Sequence, residues 1–250
     1  MVKQVPDTAT KVRVQPSSTS IATEGIKWVI NPYDEFGIEE SLRIKERLGG
    51  EVVVVSVGPQ RVEEAIRQSL AMGADRGIHV KTDDVLDSQA TAEILAAVAR
   101  SEGFDLIVTG KQAVDDDAAQ VGPLAAVFLD VPQVTVVLKL DVNAEEQRLV
   151  AERELEGTIE VVELPYPAVV TVQRGLNEPR YPTLPNIMKA KKKEVRVETL
   201  EGLGITPQLK VRILALSEPP ERPAAKILTG DPIEMAQQLV DLLHNEAKVL

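Results

Sequence analysis

Three consecutive aspartates, Asp115, Asp116 and Asp117, are the residues of this chain whose type and spacing come nearest to chemistry. They lie in the run Gly110-Lys111-Gln112-Ala113-Val114-Asp115-Asp116-Asp117-Ala118-Ala119-Gln120-Val121-Gly122, directly after an apolar segment. Three readings are open. The carboxylates can cap a helix by accepting from its first amides, they can gather a magnesium ion, or the helix start can hold a phosphate. The last reading meets an electrostatic obstacle, because each carboxylate beside a phosphate repels it by about 1 kcal/mol or more in a partly desolvated site. A phosphate here must rest on backbone amides, with Asp117 or a neighbour as the cap and the other carboxylates facing solvent or a ribose hydroxyl. No GxGxxG follows a strand and no GxxxxGKS/T occurs, so neither a dinucleotide-binding turn nor a P-loop is supported.

Other chemistries lack their residues. The chain has no cysteine, which removes disulfides, thiolate nucleophiles and iron–sulfur centres. His79 and His244 are the only histidines and stand far apart, a poor basis for zinc. A net charge of -11 argues against nucleic acid or an anionic membrane as a partner. Lys189, Lys191, Lys192 and Lys193 form a basic island within that acidic background. No segment approaches the roughly 20 apolar residues of a membrane span, and Met1–Asp7 lacks the apolar core of a signal peptide. A cytoplasmic location is the expectation.

The elements that must position these residues follow from periodicity. Hydrophobic residues make up 44% and aromatics only 3%, so Val, Ile, Leu and Ala pack the interior, as in a buried parallel sheet. Strands are predicted at Glu51–Val57, Gly77–Val80 and Phe104–Gly110, and helices over Val62–Leu70, Ser88–Arg100 (Ser88 as N-cap) and about Asp117–Leu129. This alternation specifies βαβ units. A further helix runs from Asn31, a suitable N-cap, through Pro32, Ile38, Leu42 and Ile44 to Gly49-Gly50, with Asp34 and Glu35 at its positive end. Beyond Val131 the spacing becomes hairpin-like, with strands at Val134–Leu140, Arg148–Leu155, Thr158–Leu164 and Ala168–Val172. The tail is basic after Leu184, then punctuated by Pro207, Pro219, Pro220 and Pro223, and ends in an amphipathic helix over about Pro232–His244. Ligands of open α/β sheets sit at the carboxyl ends of strands, where Asn31–Asp34, Ser56–Pro59 and Gly110–Gly122 are expected to converge.

Several segments together resemble one family, the beta subunits of electron-transfer flavoproteins. They are Lys3-Gln4-Val5-Pro6-Asp7, Asn31-Pro32-Tyr33-Asp34 with Glu39-Glu40, Ala71-Met72-Gly73-Ala74-Asp75-Arg76, Gly110 through Asp117, and above all Leu176-Asn177-Glu178-Pro179-Arg180-Tyr181-Pro182-Thr183-Leu184-Pro185-Asn186-Ile187-Met188 with the lysines that follow. The resemblance covers the chain from Lys3 to at least Lys193. It implies an α/β fold of the adenine-nucleotide alpha-hydrolase-like kind, a parallel sheet with an added antiparallel section and a C-terminal arm ending in a helix. Residues 1–193 would form the AMP-binding domain and 194–250 an arm docking on an alpha subunit that holds the redox-active FAD. By carry-over, AMP would be contacted by Asn31, Pro32, Tyr33 and Asp34, by Val57, and by Gly110, Lys111, Gln112, Ala113, Val114, Asp115, Asp116, Asp117, Ala118, Ala119, Gln120 and Val121. Tyr33 would lie near the partner's flavin, and Glu154 would pair with an arginine of the alpha subunit.

Residues 176–193 correspond to the family's partner-recognition loop, with Leu184, Pro185, Ile187, Met188 and Lys189 as its contacts. From the residues alone, Pro182 and Pro185 hold Leu184 extended and outside any helix, where it can staple onto Ile187 or Met188. The resemblance instead has it plug an apolar pocket on an acyl-CoA or other flavin dehydrogenase, with a membrane quinone oxidoreductase as acceptor. The chain itself would be an electron-carrier subunit without catalytic activity. In an electron-bifurcating relative a second FAD replaces AMP and a glycine interrupts the aspartate run, where this chain has Asp116. A stand-alone nucleotide-binding regulatory module shares the fold but has no use for Asn177–Lys193. Relatives carry a fuller first strand than the Met1-Val2 found here, so the first edge of the AMP site is expected to be shortened.

Overall fold

The computed structural model describes residues 1–17, 19–220 and 224–250, which leaves Pro223 of the proline series outside the described residues. Gln4–Pro6 (β1) runs antiparallel to Trp28–Ile30 (β2). Pro32–Leu48 (α1) follows at once; Pro32 opens it, where no amide partner is required, and Gly49 closes it. Val53–Gly58 (β3), Glu63–Met72 (α2), Arg76–Lys81 (β4) and Ser88–Glu102 (α3) then alternate as their periodicity demands. Strands β3 and β4 pair in parallel, Val53 opposite Arg76. The two faces of β3 meet different helices. Val54 packs with Ile66 and Leu70 of α2, while Val53, Val55 and Val57 pack with Ile94 and Val98 of α3.

Leu106–Gly110 (β5), Val121–Leu129 (α4), Gln133–Asn143 (β6), Arg148–Leu155 (β7), Thr158–Pro165 (β8) and Ala168–Val172 (β9) build a second sheet in the order β5-β9-β6-β7-β8. Strand β9 is buried at every position because it lies between β5 and β6, parallel to both. From β6 to β8 the strands form an antiparallel meander, the added section expected from the hairpin-like spacing. Met1–Lys3 connect the two sheets. The Val2 amide donates to Val55 O at 3.0 Å, Met1 N donates to Val108 O at 2.9 Å, and the Asn31 amide donates to Lys3 O at 2.9 Å.

Leu184–Ala190 (α5) precedes Val195–Thr199 (β10), a strand that the sequence reading did not foresee. It pairs in parallel with β4, Val195 opposite Gly77, on the side away from β3. Its charges do not prevent pairing, because Arg196 forms ion pairs with Glu102 and Glu198. The expected boundary at residue 193 falls inside this packing, since Leu200, Leu203 and Ile205 lie against Ile78, Val80, Ile94 and Val98. The arm then carries neither helix nor strand through 206–220 and 224–231. Pro232–Asp241 (α6) ends it, opened by a capping box in which Asp231 accepts from Ile233 and Glu234 amides, and it runs on as a wider turn over Leu242–Ala247. Ile233, Leu239 and Val240 of α6 are exposed.

Candidate functional site

A cavity of about 270 Å³ opens at the carboxyl ends of β3, β4 and β5. The three expected segments meet there: Asn31 and Asp34 from α1, Val57, Gly58 and Pro59 after β3, and most of Thr109–Gly122. Of the sequence-predicted residues, Asn31, Asp34, Val57, Gly110, Lys111, Gln112, Ala113, Asp116, Ala118, Ala119, Gln120 and Val121 line it. Pro32, Tyr33, Val114, Asp115 and Asp117 stand behind or beside the wall. The sequence reading missed the connection from β4 to α3, where Asp84, Leu86, Asp87, Ser88 and Thr91 complete the lining. Its signal was present, since a strand-to-helix turn next to β3 lies at the same sheet end.

The two polar residues that open α1 act across the fold. Asn31 occupies the cap position but makes no cap bond. Its Nδ2 donates to Gln112 O at 2.8 Å and its Oδ1 accepts from the Val114 amide at 3.2 Å. Asp34, 4% exposed, accepts from the Lys3 amide at 2.7 Å and from the Gly110 amide at 2.8 Å. The carboxylate expected to serve the helix dipole is therefore a stitch between the first residues and the end of β5. Burial pushes its carboxyl above the usual range against the pull of those amides. Gly110 permits the approach, because a Cβ there would stand 2.5 Å from Asp34 Oδ1 and 2.7 Å from Tyr33 Cβ.

The acidic run does not begin a helix. Asp117 (φ 49°) and Ala119 (φ 53°) are left-handed, and α4 starts only at Val121, so the expected helix start at Asp117 and its capping role are corrected. Backbone turned through two left-handed positions cannot continue helical hydrogen bonding. The charges are also partly offset locally. Lys3 Nζ binds Asp115 at 2.8 Å and Asp116 at 3.0 Å, and Gln112 Nε2 donates to Asp117 at 2.6 Å. Burial draws the Lys3 ammonium down, but its two aspartates hold it above the ordinary lysine range. Lys111 Nζ lies 5.3 Å from the centre of the Tyr33 ring.

The start of α4 is open. Among the described residues Gln120 at the cap position makes no side-chain cap bond, and Pro123 has no amide, so Val121 and Gly122 offer the first free donors at the wall. The start of α3 is closed. Its cap is Asp87, not Ser88: Oδ1 accepts from the Ala90 amide at 2.8 Å. Asp87 Oδ2 accepts from the Lys210 and Val211 amides, which fastens the arm beside the cavity mouth. Burial raises the Asp87 carboxyl, yet these amides hold it below the ordinary range. His79, fully buried, meets Gly58 O at 2.9 Å through Nε2 behind the cavity wall, and its Nδ1 has no partner among the described residues.

The second expected surface lies on α5. Leu184 is 74% exposed and Met188 57%, with Pro185, Ile187 and Lys189 also exposed. Leu184 is the first residue of α5, capped by Thr183, rather than part of an extended loop. A proline at the second position is tolerated because first-turn amides are unpaired in any case. Glu154 is exposed on β7 and accepts from Gln173 Nε2.

Residues 18–202 match the family model described as Electron transfer flavoprotein domain. Three curated relatives carry the name electron transfer flavoprotein subunit beta. That of Homo sapiens is 44% identical over 253 residues, covering 99% of this chain and 96% of its own. That of Bacillus subtilis (strain 168) is 39% identical over 256 residues, covering 100% and 98%. That of Arabidopsis thaliana, named as mitochondrial, is 40% identical over 250 residues, covering 100% and 98%.

Proposed function

The chain belongs to the family of electron transfer flavoprotein beta subunits, and from that premise we propose that its cavity holds AMP as a structural nucleotide within a heterodimer. The observation that carries the reading is the open start of α4 at the wall of a cavity of about 270 Å³. Two unpaired amides in an N-terminal turn favour a phosphate. Lys3 offsets part of the repulsion that Asp115 and Asp116 would exert. Val121, Gly122 and the Ala118–Gln120 segment would take the phosphate, and Val57, Pro59 and Leu86 offer an apolar wall for the base. A cavity at the small end of ligand sites suits a mononucleotide better than a second FAD.

The chain supports electron transfer and does no bond-making chemistry of its own. FAD, held mainly by an alpha subunit, supplies the redox step when bound. Tyr33, exposed Glu154 and the apolar residues of α6 contact that subunit, and α6 gains the cover that its own chain does not give it. Leu184 anchors an acyl-CoA or other flavin dehydrogenase as donor, and a quinone oxidoreductase receives the electrons. Among the described residues no helix is long and apolar enough to cross a membrane.

The test is to purify the heterodimer, denature it and quantify the released nucleotides by chromatography. One FAD and one AMP per heterodimer is the expected result. Two FAD and no AMP would overturn it and place a working flavin in this cavity. Leu184→Ala is expected to weaken dehydrogenase binding about 10- to 100-fold, the equivalent of burying one leucine.

A further inference from the structure

We propose that Arg180 is the positioning residue of the recognition segment, holding Leu184 in place through a clamp of two carboxylates on α1. The inference rests on reading Leu184 as the dehydrogenase contact.

The segment between β9 and α5 has little else to fix it. Among the described residues, no backbone–backbone hydrogen bond is made by residues 177–182. Packing seats it only in part, with Asn177, Pro179, Arg180 and Pro182 half-buried. A groove of about 800 Å³ opens between this segment and the helices α1 and α2, lined by Phe36, Met72, Tyr181 and Ile187 among others. Tyr181 is 94% exposed.

Arg180 supplies the missing hold. Its Nε and Nη2 donate to the two oxygens of Glu39 at 2.8 and 3.1 Å, and its own amide donates to Glu39 Oε2 at 3.2 Å. Its Nη1 and Nη2 reach the two oxygens of Glu46 at 2.5 and 3.1 Å. One planar fork thus spans two carboxylates, one of them with its side chain only 4% exposed. Such a bidentate arrangement fixes orientation as well as distance. Asn177 adds a second point, donating to Phe36 O at 3.0 Å and Glu40 at 2.9 Å. Arg180 stands four residues before Leu184, so the clamp fixes the approach to the helix start and its exposed leucine, while the far end of α5 is held on α2 by Arg67 donating to Ala190 O and Lys193 O.

Lysine keeps the charge but cannot span both carboxylates with a planar fork. The experiment uses the heterodimer loaded with FAD and AMP, in Arg180→Lys, Leu184→Ala and the double variant. Affinity for a purified acyl-CoA dehydrogenase is read by surface plasmon resonance, with KM and kcat for electron transfer measured alongside. Arg180→Lys is expected to weaken binding and raise KM about tenfold, with kcat and AMP content unchanged and faster amide exchange over 177–188. The double variant is expected to bind no worse than Leu184→Ala, because Arg180 acts through that leucine. If Leu184→Ala has no effect, the reading of the recognition segment fails, and this inference with it. If Leu184→Ala weakens binding and Arg180→Lys does not, the clamp alone is refuted. Losses that simply add would also refute it, since Arg180 would then act elsewhere. Should Arg180→Lys lose AMP or fail to fold, Glu46→Gln removes one arm of the clamp at an exposed carboxylate; unchanged dehydrogenase affinity in that variant refutes the proposal.

Discussion

Replacing Gly110 by alanine tests whether the close seating of α1 on β5 shapes the nucleotide cavity. The added Cβ would lie 2.5 Å from Asp34 Oδ1, 2.7 Å from Tyr33 Cβ and 2.8 Å from Tyr33 C, whereas ordinary contact begins at 3.4 Å. Two of these atoms belong to the backbone or its first carbon, so no side-chain rotation relieves them. The start of α1 must recede by about 0.6–0.9 Å, the difference between those distances. The bond from the Gly110 amide to Asp34, now 2.8 Å, would stretch to the edge of hydrogen bonding. Overpacking costs about 1–3 kcal/mol and loss of a buried bond to a charged group about 1.5–3 kcal/mol, so roughly 3–5 kcal/mol is expected. With an m-value of about 3 kcal/mol per molar urea, the midpoint falls by at least about 1 M. Asn31 moves with the helix and drags its bonds to Gln112 and Val114, so AMP per heterodimer should fall as well. A heterodimer of this variant with a full complement of AMP and an unchanged urea midpoint would refute the reasoning.

Lys3→Met removes the partner of Asp115 and Asp116; both pairs are partly solvated, so AMP affinity should fall only about three- to tenfold. Titration calorimetry should show the deficit shrinking in 0.5–1 M salt, roughly the range where screening acts within a few ångströms; a loss independent of salt contradicts the electrostatic account. The Arg180 clamp should depend on pH in one direction. Burial raises Glu39, but Arg180 and Arg43 outweigh it, and Arg180 likewise holds Glu46 down, so both carboxyls sit below their ordinary 4.5. Groups whose folded pKa is depressed contribute fully above the unfolded value and lose that contribution as pH falls through the folded one. Amide exchange over 177–188, corrected for intrinsic rates, should thus stay constant from about pH 7 to pH 5 and rise only below the ordinary carboxylate range. Loosening already between pH 7 and pH 5.5 would speak against it.

Much of this fold is legible in the sequence because local signals and tertiary demand agree. Strand β9 is four apolar residues and one threonine and is buried on both faces; α1 has its proline first and its glycine last. The misreadings share a cause, which is that distant partners override local chemistry. Strand β10 alternates valine with charge and resembles a linker until β4, far earlier in the chain, offers it an edge. Asp117 looks like a helix cap, but the chain turns through left-handed backbone at Asp117 and Ala119 before α4 begins at Val121. Asp34 suits a helix dipole by position, yet is taken by amides of Lys3 and Gly110 that no local rule connects to it. The candidate cavity was thus visible as three segments, and the fourth wall after β4 was signalled only by the rule that strand-to-helix turns share a sheet end.

The uptake of Val195–Thr199 into the sheet beside β4 changes what kind of object the recognition segment is. Residues 173–194 are a strap sewn at both ends, from β9 in one sheet to β10 in the other, and not the beginning of a tail. Closure of such a strap depends only weakly on its length, about 0.6 kcal/mol for each doubling. Its interior can therefore be exchanged as a cassette between relatives, provided that Arg180, Asn177 and their carboxylates on α1 travel together. On the proposed reading, choice of redox partner becomes a graftable trait carried by residues 177–188 between the two fixed ends.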